Sequence, residues 1–116
     1  MTPQERTQQR LAELAALPTG WLDGEGEALD PEGLAWASAL VLALQNPCKP
    51  YCYPTPEGDL SVEWDLPGYS IDARFFLKAR RIESSAFNLQ YPENSPSFDE
   101  DLEGLDLWLT AKMQVG

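Results

Sequence analysis

The chain has 116 residues, nineteen Asp and Glu against eight Lys and Arg, a formal charge of −11 and no histidine. That balance excludes a general affinity for nucleic acid, which needs clustered Lys and Arg, and it removes the usual general base and the commonest metal ligand. Length and an apolar share of 43% fit one globular domain spanning 1–116, with residues 1–10 prone to fray.

Thr2-Pro3-Gln4-Glu5 is a helix start, with Thr2 as N-cap, Pro3 at the first helical position and Glu5 placed for a capping box. The spacing predicts a helix from about Pro3 to Leu17, with apolar residues only in its second half. An acidic loop follows, Gly20-Trp-Leu-Asp-Gly-Glu-Gly-Glu-Ala-Leu29, with Trp21 and Leu22 as its apolar anchors. Asp30-Pro31-Glu32 repeats the start signal and opens a helix to about Gln45. This second helix is apolar around nearly its whole circumference, which predicts burial on more than one side and makes a homodimer plausible.

From Pro50 the periodicity becomes two, and four short strands read out as an antiparallel meander: Tyr51 to Tyr53, Leu60 to Asp65, Tyr69 to Leu77 and Arg80 to Tyr91. Ser61, Glu63 and Asp65 form a polar, wet face of the second strand. In the fourth, Ile82 lies on the even face but Phe87, Leu89 and Tyr91 on the odd one, which predicts a bulge near Ser84-Ser85. Leu102, Leu105, Leu109 and Met113, with Trp108 beside them, predict a C-terminal helix, with a short fifth strand at Leu105 to Leu109 as the alternative. The fold class is α+β: two N-terminal helices, a meander of about four strands, then a C-terminal helix or short strand, with the helices on one sheet face.

Three pieces, Gly20-Trp-Leu-Asp-Gly-Glu-Gly26, Asp30-Pro-Glu-Gly-Leu-Ala-Trp36, and Pro50-Tyr-Cys-Tyr-Pro-Thr-Pro-Glu-Gly58 with Val62-Glu-Trp64, resemble a family of small acidic uncharacterised bacterial proteins. The resemblance covers roughly residues 18 to 80 and implies the order of helices and meander, with no activity attached.

Chemistry-bearing constellations are few. Cys48-Lys-Pro-Tyr-Cys52 has three residues between its thiols rather than the two of a redox motif, and without histidine the pair falls short of a zinc ligand set. Two cysteines are also too few for a secreted disulfide framework, so reduced structural thiols are expected. The loop from Asp23 invites a calcium reading but fails the EF-hand pattern, since Ala28 and Leu34 stand where Gly and Glu belong. Ser84-Ser85 has no histidine to activate it. No catalytic residue, metal site or cofactor site is therefore assigned, and the alternative to a binding role is a small metal-dependent or carboxylate-based enzyme domain built on the acidic loops. The longest apolar run, Leu34 to Leu44, is short of the roughly 20 residues a bilayer span needs, so a cytoplasmic protein without membrane association is expected.

Charge distribution is the stronger signal. Residues 21 to 32 hold five acids and no base, as do residues 98 to 108, while Arg74, Lys78, Arg80 and Arg81 gather around the third turn of the meander. Carboxylates arrayed along a surface attract a basic protein and can imitate a phosphate backbone. The expected partner is a basic, nucleic-acid-acting protein neutralised by this chain in the manner of an antitoxin or anti-defence protein, with no direct nucleic-acid binding. The candidate contact residues are Trp21, Asp23, Glu25 and Glu27 in the first segment and Asp99, Glu100, Asp101, Glu103 and Trp108 in the second.

Overall fold

Two proline-led caps set the first two helices. In the computed structural model, which describes residues 2–115, α1 spans Pro3–Ala15 and α2 spans Pro31–Leu42. The Thr2 hydroxyl oxygen accepts from Glu5 N at 3.1 Å, and an Asp30 carboxylate oxygen accepts from Gly33 N at 2.9 Å, each satisfying an otherwise orphaned backbone donor. The first turns of α1 carry little apolar surface but are tied down: Thr7 is buried, and Gln4 Nε2 donates to the Leu42 carbonyl. Helix α2 stops three residues short of the predicted end because a side chain takes its next amides. Gln45 N and Asn46 N donate to the two oxygens of Asp106 at 2.8 and 2.9 Å, instead of to carbonyls one turn back.

The sheet is an antiparallel meander in the order β1-β2-β3-β4, made of Pro50–Pro54, Leu60–Leu66, Tyr69–Phe76 and Arg81–Asn88. A 3₁₀ turn at Pro92–Asn94 follows, and the chain ends in α3, Leu102–Val115. The C-terminal element is thus a helix and not the alternative strand. Leu102, Leu105 and Leu109 form its buried stripe, while Met113 is exposed.

All three helices cover one face of the sheet. Helix α1 lies along β1, where Arg10 Nε donates to the Cys52 carbonyl at 3.0 Å. Helix α2 sits over the middle strands: the Trp36 ring meets Phe75 edge-on with centroids 5.9 Å apart, and Gly33 abuts Leu77 so closely that a Cβ there would lie 2.5 Å from the Leu77 carbonyl oxygen. Helix α3 lies against β4, and its Trp108 meets Tyr69 at 5.0 Å. The covered sheet face is the alternating set Leu60, Val62, Trp64, then Ile71, Ala73, Phe75, then Ile82, Ser84, Ala86.

That last triplet overturns the predicted bulge. The β3–β4 register runs unbroken from Tyr69↔Asn88 to Phe76↔Arg81, so Ile82 keeps its face and the odd residues turn outward, leaving Phe87 46%, Leu89 59% and Tyr91 50% exposed. Small side chains suffice inside because residues 95–99 and α3 crowd β4 there. Phe98 N and Asp99 N donate to the Ser84 carbonyl, and the Ser84 hydroxyl donates to the Asp99 carbonyl. Two further expectations also shift. Leu22 is 43% exposed rather than an anchor, and the circumference of α2 is not buried all round, since Ala35 and Ala39 face out.

Candidate partner-binding surfaces

The first acidic segment is a rigid loop. Trp21 donates its indole N–H to the Glu27 carbonyl at 2.8 Å, Leu22 and Glu25 exchange backbone bonds, and Asp23 takes a left-handed φ of 50°. Gly26 is required beneath the ring, because a Cβ there would meet Trp21 Cε2 at 2.9 Å with the backbone at φ 88°. Asp23, Glu25 and Glu27 are exposed around this frame. The loop is moored to the β1–β2 turn by Glu27 N donating to the Pro56 carbonyl, and to the β3–β4 turn by the Asp30–Arg80 ion pair at 3.6 Å.

The second segment divides by role. Asp106, only 9% exposed, leaves the surface set altogether and binds the α2–β1 connection from within, through Gln45 N, Asn46 N and Asn46 Nδ2. A Glu100 carboxylate oxygen accepts from Ile82 N at 3.0 Å, and Asp101 accepts from Gly104 N at the start of α3. Asp99 and Glu103 are exposed. Trp108 is half-buried between Tyr69 and Phe98, with Lys112 Nζ 5.5 Å from its centroid. Both segments reach the same end of the sheet, one at the β1–β2 turn and one at the start of β4. The β3–β4 turn, bearing Lys78 and Arg80 with Arg81 just after it, stands between them, so a cationic turn interrupts the acidic display.

A third surface is the open face of the sheet, which the alternation of Ser61, Glu63 and Asp65 only half reveals. Strand register places Glu63 directly opposite Asp72, with Tyr51 on the other side of Glu63 and Ser85 beyond Asp72. Asp65 follows in the next row, across from Ser70 and then Phe87. Burial, and after it the facing Glu63 carboxylate, push the Asp72 carboxyl above the ordinary aspartate range. Among the described residues, Glu63, Asp65 and Asp72 make no ion pair. Lys49 Nζ lies 5.4 Å from the centroid of the Tyr51 ring at the border of these acids, and two further cations are engaged nearer the turns. Arg74 reaches Glu57 and Asp59, Arg81 reaches Glu83, and both guanidinium groups lie over Phe76, 5.1 and 4.5 Å from its centroid. The face is therefore zoned into a cation–aromatic patch and an unneutralised carboxylate patch bordered by Tyr51 and Phe87.

Cys48 and Cys52 are free and buried, and burial raises both thiols, Cys52 to about 11, which disfavours the reactive thiolate. Among the described residues, no group of three or more Cys, Asp or Glu side chains is placed to hold a metal ion. No described helix is long and apolar enough to cross a membrane. No family model, curated protein or solved structure matches the chain.

Proposed function

We propose that this chain is a non-enzymatic interaction module that engages a basic protein through its carboxylate surfaces, in the manner of an inhibitor that occupies a nucleic-acid-binding groove. The observation carrying this reading is the opposed Glu63–Asp72 pair on the open sheet face, two like charges that make no ion pair among the described residues. Like charges directly across a strand pair oppose folding, and a Lys or Arg inserted by a partner relieves the repulsion in the complex alone. Tyr51 and Phe87 supply aromatic borders suited to stacking on such cations. The exposed acids Asp23, Glu25, Glu27, Asp99 and Glu103 add a field that accelerates encounter.

The test compares tagged wild-type protein with a Glu63→Lys/Asp65→Lys variant as bait in nuclease-treated lysate of its source organism. The expected result is a stoichiometric basic protein held by wild type, released by rising salt and by added duplex DNA, and absent from the variant. Equal capture by both baits, or release by neither salt nor DNA, refutes the reading.

A further inference from the structure

Acids outnumber bases by nineteen to eight in this chain, yet one crevice reverses the balance. A space of about 210 Å³ lies between α1 and the outer edge of β1, and three of the eight cationic side chains, Arg6, Arg10 and Lys49, line it together with Tyr51, Cys52 and Tyr53. Among the described residues, no carboxylate and no side-chain amide lines it. Arg6 and Arg10 are one helical turn apart and share a face of α1, a spacing at which like charges oppose helix formation. Lys49 enters from the start of β1, its ammonium held over the Tyr51 ring.

Most of this charge is left free. Arg6 and Lys49 make no ion pair among the described residues, and Arg10 makes a solvent-exposed one with Glu13 at 3.3 Å. Arg10 is nevertheless fixed in place, because its Nε donates to the Cys52 carbonyl at 3.0 Å. That bond also shows which way the strand faces. Backbone N–H and C=O of one residue in an antiparallel strand point to the same side, so the Cys52 N–H is turned outward as well, with no acceptor among the described residues.

The donors gathered here, two guanidinium groups, an ammonium and a backbone amide, match the double charge and several oxygens of a phosphate group. The space is below the range of about 300–1,000 Å³ usual for larger ligands, which limits the rest of the occupant to a small organic group. Polymeric phosphate is disfavoured for a separate reason. A nucleic acid lying along β1 meets the Glu63 and Asp72 carboxylates in the row of Tyr51.

We infer that this crevice binds a small phosphate monoester, its oxygens accepting from Arg6, Arg10 and the Cys52 amide beside the Lys49 ammonium, its organic group resting against Tyr53. The site does not depend on the basic partner proposed above.

The full chain, labelled with ¹⁵N, is titrated at constant ionic strength with phenyl phosphate, with benzoate and with a short single-stranded DNA. The expected result is a saturable shift of the Cys52 amide resonance with phenyl phosphate at a Kd of about 1 mM or tighter, binding of benzoate at least about tenfold weaker, and no saturable response to the DNA. Arg6 and Lys49 are exposed, so Arg6→Gln and Lys49→Gln are expected to fold as wild type. Each weakens phenyl phosphate binding about threefold, and the double variant about tenfold. Absence of a saturable shift with phenyl phosphate, equal affinity for benzoate, tighter binding of the DNA, or unchanged affinity in the double variant overturns the assignment.

Discussion

Asp72 is the residue whose chemistry is least comfortable. Its carboxyl is held above the ordinary aspartate range in the folded chain, so between the unfolded and folded pKa values the native state binds more protons. Stability from this group is therefore lost as pH rises through that window, above about 3.9. Asp72→Asn is expected to stabilise the protein at neutral pH by about 0.2–0.5 kcal/mol, the lower part of the range for facing like charges, because the pair is partly solvated and screened. Urea unfolding near pH 7 and again near pH 3 checks this. A gain that persists at the lower pH would show that the effect is not electrostatic. The same residue marks a limit of sequence reading: the alternation around Glu63 exposes that side chain, but only strand register places Asp72 opposite it. Asp106 was still less legible. Nothing in Leu105-Asp-Leu107 distinguishes a buried loop clamp from one more surface acid, because its amide partners lie sixty residues away.

Among the elements, α2 and α3 each depend on one unusual contact. Gly33→Ala gains helix propensity of up to about 1 kcal/mol, but the new methyl group meets Leu77 backbone at 2.5 Å. Overpacking against an atom that cannot swing aside typically costs about 1–3 kcal/mol, so the variant is expected to unfold at lower temperature than wild type. A higher Tm would mean that α2 slides freely on the β3–β4 turn. Asp106→Ala strands two or more amide donors, at about 1–3 kcal/mol each, and is expected to lower stability by at least about 2 kcal/mol in urea unfolding. A loss below about 0.5 kcal/mol would show that water replaces the carboxylate. The helices were legible because their signals are local: Thr2-Pro3 and Asp30-Pro31 each announce a start within four residues. The fourth strand misled because Phe87, Leu89 and Tyr91 look like core. Its true inner face, Ile82, Ser84 and Ala86, is small because a later segment lies on it.

For the whole molecule, a charge of −11 on 116 residues means that self-repulsion opposes the compact state, while the ion pairs that salt would weaken are mostly exposed. The urea midpoint is therefore expected to rise between about 20 mM and about 0.5 M NaCl, as screening lengths contract. A fall would mean that the Asp30–Arg80 and Arg74 pairs outweigh the net repulsion. Lateral growth of the sheet is blocked on both sides: prolines at both ends of β1 remove edge donors, Arg10 occupies the Cys52 carbonyl, and residues 95–99 cover β4. The strand order has a further effect, on the timing of synthesis. A meander pairs only neighbours in sequence, so each hairpin can close as it leaves the ribosome. Helix α2 enjoys no such promptness. Its apolar side rests on Phe75 and Leu77, more than thirty residues downstream, so a nascent chain arrested before those residues emerge displays α2 naked, as a natural substrate for chaperones that hold extended apolar segments.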